Sequence, residues 1–198
     1  TIAGIFTPIL GPMAGSGLLK GLLAILVATG LLTPTMGTYI VLNATADALF
    51  YFLPVVLGHS AAKKFGGNPY IGMIIGGALV YPSIVALQAS GDGLTFLTIP
   101  VVLMSYASSV IPIILATFVS SKLEKFFNRH SHEAVKNFTT PMLVIMLVVP
   151  LTFLAIGPLA TYASQGLAAG YSFIYNLSPV IAIAFIGAFW QIFVMFGL

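Results

Sequence analysis

The chain contains no cysteine. That absence removes disulfides, thiolate metal ligands and cysteine nucleophiles from within these residues. Charge is nearly as scarce. Only 6% of the 198 residues are charged, four acidic and seven basic, whereas soluble domains carry about 25%. With 59% of its residues hydrophobic, the chain cannot hide its apolar surface in water, which excludes a soluble globular domain. Paired carboxylates, a Ser-His-Asp set, a phosphate-cradling glycine loop and a dinucleotide fingerprint are missing too, so no catalytic residue is assigned.

What is present is a set of long apolar runs. A mean hydropathy of +1.10 leaves room for about five or six helical spans of roughly 20 residues each. A transmembrane β-barrel would alternate apolar and polar residues along each strand, and these runs are apolar all round. The sequence therefore predicts an all-α polytopic membrane protein of about six transmembrane helices, some kinked or broken. Five of the seven basic residues fall in two clusters, Lys63–Lys64 and Lys122, Lys125 and Arg129, with Lys136 just beyond the second. Each cluster closes an apolar run and marks a cytoplasmic helix end. The +3 formal charge is accounted for by this flanking pattern, so the partner it implies is the lipid bilayer and not nucleic acid. No signal peptide is evident, because the first stretch lacks a basic n-region. The chain starts and stops inside apolar sequence, Thr1-Ile2-Ala3 and Val194-Met195-Phe196-Gly197-Leu198, and the expectation is a fragment of something longer.

The spans are read as follows. The first, about 5–32, is interrupted by Pro8, Gly11, Pro12, Gly15 and Gly17 and should be kinked with an irregular first turn. The second runs over about 39–62, and Gly66-Gly67-Asn68-Pro69 is a turn signal. The third covers about 70–89 and ends in Ser90-Gly91-Asp92-Gly93. Residues 94–102 are too short to span and rich in β-formers, so an extended or re-entrant piece is expected. The fourth span covers about 104–127 and the fifth about 141–162. After Ser164-Gln165-Gly166 and the break Asn176-Leu177-Ser178-Pro179, a last span starts near Val180. Placing both basic clusters inside requires an even number of crossings between them. This reading supplies two, and the amino end then lies in the cytoplasm.

Lys20 and Asp47 are charges deep inside spans, where an unpaired ion costs several kcal/mol. Counted from the turn they share, Lys20 lies about 18 Å down the first helix and Asp47 about 14 Å down the second. An ion pair between them follows, with Asn43 one turn from Asp47 on the same face. Such a pair either locks two helices or lines a substrate path. Gly72-xxx-Gly76 and Ser105, Ser108 and Ser109 would permit close helix approach. His130-Ser131-His132-Glu133 has no metal-site spacing and reads as a polar loop, so no metal and no cofactor is expected. His59 reads as an interfacial residue. Gln191 beside Trp190, the only tryptophan, offers amide hydrogen bonds and a stacking face. That is the chemistry of sugar recognition, although an interhelical hydrogen bond would use the same amide.

Several stretches carry a family resemblance. Gly4-Ile5-Phe6-Thr7-Pro8-Ile9-Leu10 with Ala14-Gly15-Ser16-Gly17-Leu18-Leu19-Lys20-Gly21 resembles the opening of the membrane-spanning EIIC domain of the bacterial phosphoenolpyruvate-dependent sugar phosphotransferase system. Asp47-Ala48-Leu49-Phe50-Tyr51-Phe52-Leu53-Pro54, Ala61-Ala62-Lys63-Lys64-Phe65-Gly66-Gly67-Asn68-Pro69, Met104-Ser105-Tyr106-Ala107-Ser108-Ser109 through Ala116, and Phe189-Trp190-Gln191 continue it over essentially the whole chain. Within the glucose superfamily the likeness is closest to β-glucoside permeases, with sucrose and trehalose permeases as near relatives. The alternative is a non-phosphorylating secondary transporter bundle, which would need a midplane site formed by broken helices and usually carries an internal repeat. No convincing repeat relates the first and second hundred residues.

The resemblance implies a multi-pass protein of the bacterial inner membrane that works as a homodimer with cytoplasmic EIIB and EIIA partners. Residues 1–162 would be the dimerising scaffold and residues 163–198 the truncated start of the sugar-transport part. In the full complex the activity implied is a phosphohistidine-dependent sugar phosphotransferase, the phosphate passing from an EIIB phosphocysteine to the sugar's 6-hydroxyl. Lys20, Asn43, Asp47, Trp190 and Gln191 are the candidate sugar-binding residues. The family's sugar-binding histidine normally follows a Phe-Gly-Leu stretch such as Phe196-Gly197-Leu198, and its Gly-Ile-Thr/Ser-Glu-Pro motif has no counterpart here. This segment alone is therefore expected to insert and dimerise, but not to phosphorylate sugar.

Overall fold

The computed structural model describes residues 3–101, 103–133, 135–178 and 183. These residues form a helical bundle with one small hairpin. The first span opens irregularly, as its prolines and glycines predict. A single turn α1 (Ala3–Phe6) and a 3₁₀ turn at Thr7–Ile9 lead into α2 (Leu10–Ala28). Gly30, at φ 75°, turns the chain toward α3 (Gly37–Tyr51), which packs back along α2 as a hairpin. The next helix, α4 (Leu53–Phe65), leaves α3 at a 40° bend. Pro54 in its first turn has no N–H to continue the ladder of α3, so the break falls there.

The α4–α5 connection is written in its residues. Gly66 takes the left-handed conformation at φ 74°. The Gly67 N–H then donates to the Ala62 carbonyl at 2.9 Å, closing the helix with a Schellman turn. Asn68 caps α5 (Pro69–Leu79) by accepting from the Tyr70 N–H, and Pro69 fills the first helical position. The two helices lie backbone to backbone. At Gly58, Gly72 and Gly76 a side-chain carbon would collide with main-chain oxygen or carbon of the facing helix. The small-residue spacing thus serves packing within one chain.

Helix α6 (Pro82–Ser90) extends α5 into one apolar run, Pro69–Ser90. The extended piece expected here is a hairpin: β1 (Leu94–Phe96) pairs antiparallel with β2 (Ile99–Val101). The next span departs from expectation. Residues 104–110 are not helical, and α7 starts only at Ile111 and runs to His130. Pro112 has no N–H and disfavours helical backbone at the residue before it, so it sits naturally in a first turn rather than mid-helix. Helix α8 (Lys136–Leu151), a π-turn (Thr152–Ile156) and α9 (Gly157–Leu177) form one continuous helix. The fifth span, expected to end near Tyr162, instead continues as helix through Ser164-Gln165-Gly166 to Leu177. One glycine costs a helix only about 1 kcal/mol relative to alanine, which neighbouring turns outweigh.

Among the described residues three helical runs are long and apolar enough to cross a membrane, Ala3–Ala28, Pro69–Ser90 and Lys136–Asn176. The bent pair α3–α4 makes a fourth if it counts as one span. Helix α7 is not among them, since its second half carries Lys122, Glu124, Lys125 and Arg129. Lys136–Asn176, at 41 residues, would reach about 60 Å, roughly twice the hydrocarbon thickness, so a single straight crossing does not use all of it. The core sits where α4, α5, α7 and α8 meet, around Leu57, Ile75, Leu79, Ile113, Val144 and Val148.

Candidate functional site

Helices α2 and α3 run antiparallel from a shared turn, which sets Lys20 and Asp47 at equal depth. Lys20 Nζ and Asp47 Oδ1 form an ion pair, as the residue count from that turn predicts. The ammonium also lies 5.6 Å from the centre of the Phe50 ring, one turn further along α3. Both charged side chains stay nearly half exposed, at 44% and 45%. Asn43 is half-buried on the same helix, one turn from Asp47. Among the described residues its side chain forms no hydrogen bond with either ion. Trp190 and Gln191 lie outside the described residues.

A second polar centre was not foreseen from sequence. Glu124 on α7 is buried at 6% exposure. Its Oε2 accepts from the Asn68 N–H at 2.7 Å, and its Oε1 accepts from the Ser120 hydroxyl at 3.0 Å. The adjacent Lys125 donates to the Phe65 carbonyl at 3.2 Å. The pair therefore grips the α4–α5 turn with matched polarity. An ammonium meets the carbonyl end of α4, and a carboxylate meets the N–H end of α5. The one available signal was a lone carboxylate within Lys122-Leu123-Glu124-Lys125, with Ser120 four residues before it. Its partner loop lies 56 residues away.

This clamp brings the two basic clusters together. Lys63 and Lys64 end α4 while Lys122, Lys125 and Arg129 lie on the last part of α7, at the same end of the bundle. Lys64 reaches back along α1 to Gly4, and Lys122 lies 5.4 Å above the Phe118 ring. The His130 ring is engaged locally. Its Nδ1 is 2.8 Å from the Phe126 carbonyl and the ring tilts over that of Phe126. His59 meets the Tyr70 ring edge-on.

At the opposite end, Ser108, in the left-handed region at φ 61°, donates its hydroxyl to the Phe50 carbonyl at 2.9 Å. That bond ties the chain before α7 to the end of α3, the same residue whose ring meets Lys20.

Apolar helices of spanning length, an ion pair set within two of them and a collected basic end define a polytopic helical membrane protein. More narrowly, the chain belongs to the EIIC family: residues 3–198 match the family described as "Phosphotransferase system, EIIC". It is 51% identical to the PTS system beta-glucoside-specific EIIBCA component of Halalkalibacterium halodurans, over 100% of this chain and 33% of that protein. It is 52% identical to the component of the same name from Dickeya chrysanthemi, over 100% of this chain and 32% of that protein. The sucrose-specific EIIBC component of Bacillus subtilis is 31% identical over 100% of this chain and 44% of its own length. No solved structure matches. The chain thus spans about a third of the β-glucoside relatives it matches.

Proposed function

We propose that these residues are the scaffold and the first part of the sugar-translocating half of an EIIC domain that carries a β-glucoside across the bacterial inner membrane. The single observation behind the sugar class is the 51% and 52% identity to two β-glucoside-specific components along the entire chain. In the whole protein the sugar enters from outside and is held by EIIC. Its 6-hydroxyl then attacks the phosphorus of an EIIB phosphocysteine on the cytoplasmic side, releasing the thiolate and yielding the sugar 6-phosphate. EIIB and EIIA are the partners, and the names of the relatives, EIIBCA, support their presence in one polypeptide. The working unit is a homodimer.

In this reading the full segment makes six crossings with its amino end in the cytoplasm, and Lys63, Lys64, Lys122, Lys125 and Arg129 lie on the cytoplasmic face. Residues 1–162 form the scaffold and 163–198 begin the mobile part. Trp190 and Gln191 stack against and hydrogen-bond the sugar, and Lys20, Asn43 and Asp47 contribute to its path. No residue of this segment carries phosphate, so the segment supplies holding and passage while the chemistry is completed by EIIB.

The test is uptake of salicin, an aryl β-glucoside, by the full-length protein in cells stripped of other β-glucoside permeases. Uptake that depends on phosphoenolpyruvate and delivers only salicin phosphate is the expected result. Accumulation of free salicin would overturn group translocation. Phosphorylating uptake of sucrose in place of salicin would favour the second reading, which rests on the match to sucrose-specific components.

A further inference from the structure

The hairpin 94–101 has a tip whose sequence and conformation disagree. Its register pairs Leu94 with Val101 and Phe96 with Ile99, leaving a two-residue loop, Leu97-Thr98. Both loop residues are left-handed, at φ 48° and 71°. Asn-Gly suits such a loop because those residues reach positive φ cheaply. Leucine and β-branched threonine do not, so the tip is strained. It is also apolar and uncovered, with Leu97 79%, Ile99 53% and Phe96 40% exposed. The base is the reverse: Val101 is 8% exposed and belongs to the core. The hairpin is therefore anchored in the bundle and projects a strained hydrophobic end.

Its position says what covers that end. The apolar run Pro69–Ser90 starts beside the basic clusters and spans 22 residues, about 33 Å, close to the thickness of the hydrocarbon core. A crossing of that length would end at Ser90–Gly93, where the Ser90 hydroxyl bonds Asp92 at 2.7 Å. The tip follows within four residues of that polar exit, at the level of the lipid headgroups. From Gly93 to Ser121 the chain has no charged residue, and the Thr98 hydroxyl is spent on the Leu97 carbonyl. The tip thus presents aromatic and aliphatic surface with no ionic group to direct a protein partner, a composition suited to the bilayer interface.

We infer that the hairpin is an interfacial anchor, with Phe96, Leu97 and Ile99 seated among the lipids at the face opposite the basic clusters. An apolar tip that forgoes the easier loop residues recovers the strain by burying its side chains in lipid. The inference rests on membrane placement alone and not on which sugar is carried.

The experiment places a nitroxide at Leu97→Cys, and separately at Asp92→Cys, in the full-length transporter in nanodiscs of mixed phosphatidylcholine and phosphatidylglycerol. The spectrum of the unsubstituted parent is subtracted. Collision with oxygen reports lipid and collision with a nickel chelate reports water. Position 97 should collide mainly with oxygen and position 92 mainly with the chelate. Chelate collisions at 97 equal to those at 92 would put the tip in water and overturn the proposal. Shielding of 97 from both reagents would put it against protein and overturn it equally. Ile99→Cys gives the same readout should Leu97→Cys not fold. In an Ile99→Cys protein that also carries Leu97→Asn and Thr98→Gly, the label should shift toward the chelate. An unchanged oxygen preference there would mean that the neighbouring helices, and not the tip, set its depth, and the anchor would be rejected.

Discussion

The Tyr106 phenol lies directly over Gly157, so close that a side-chain carbon at 157 would overlap the ring. The π-turn Thr152–Ile156 follows Pro150 and ends at Gly157, and it turns both Phe153 and Gly157 toward this ring. Tyr106 is 2% exposed, and among the described residues its hydroxyl has no hydrogen-bond partner.

Two opposite outcomes follow. Gly157→Ala must push the phenol or the helix aside, and overpacking of this kind costs about 1–3 kcal/mol. Tyr106→Phe keeps the ring and its edge-on contact with Phe153 while removing a buried, unpaired hydroxyl, so it should be neutral or stabilising by about 1 kcal/mol. Thermal unfolding of the detergent-solubilised full-length protein checks both. A lower melting temperature for Tyr106→Phe would show that the hydroxyl is bonded.

Glu124 carries a separate prediction. Glu124→Ala strands the buried Ser120 hydroxyl and the Asn68 N–H, and losing hydrogen bonds to a charged group costs about 1.5–3 kcal/mol. Glu124→Gln retains an acceptor for the Asn68 N–H and should lose less. Lys125→Ala removes an exposed contact with the Phe65 carbonyl and should change stability by under about 1 kcal/mol. The order Ala worse than Gln at 124, with 125 mildest, is what chemical or thermal unfolding should return. Equal effects at 124 and 125 would mean that the turn is not held by the carboxylate.

The contrast between Glu124 and Lys20 shows what the sequence can disclose. Lys20 and Asp47 share a turn and an apolar setting, so arithmetic along two helices was enough to pair them. The Gly66-Gly67-Asn68-Pro69 turn was equally readable, since each residue has a fixed role in ending one helix and starting the next. Glu124 was hidden because its partner is a main-chain N–H 56 residues away, and backbone groups leave no mark in composition. The late start of α7 and the unbroken run through Gly166 were missed for a related reason. Hydropathy reports whether a segment prefers lipid, and it is blind to which of its residues are helical.

Glycines with the same spacing should differ sharply in tolerance. Gly72 faces the main chain of Gly58, so Gly72→Ala has to separate α4 from α5 and should sharply lower the folded, membrane-inserted yield. Gly17 and Gly21 on α2 have the same four-residue spacing, but among the described residues nothing lies beside them. If lipid covers that face, Gly21→Ala should be neutral or slightly stabilising through helix propensity. Detergent-extracted yield followed by size-exclusion chromatography measures both. A severe loss at Gly21 would reveal a second protein surface closing on α2.

The Lys20–Asp47 pair admits a test of its two readings. Removing one partner leaves the other ion alone inside a span, at a cost of about 2.5–3.5 kcal/mol on insertion scales. Lys20→Met and Asp47→Asn should therefore each reduce membrane-inserted protein. The double variant leaves no lone charge, and its insertion should approach that of the parent, the coupling signature of a paired site. Transport then separates the roles. If the double variant inserts normally and takes up sugar at the parental rate, the pair only joins α2 to α3. If it inserts normally and uptake falls, the charges act on the sugar's path, and their nearly half-exposed side chains are where the sugar would meet them. Additive losses in insertion would instead show that the two ions are not paired in the membrane.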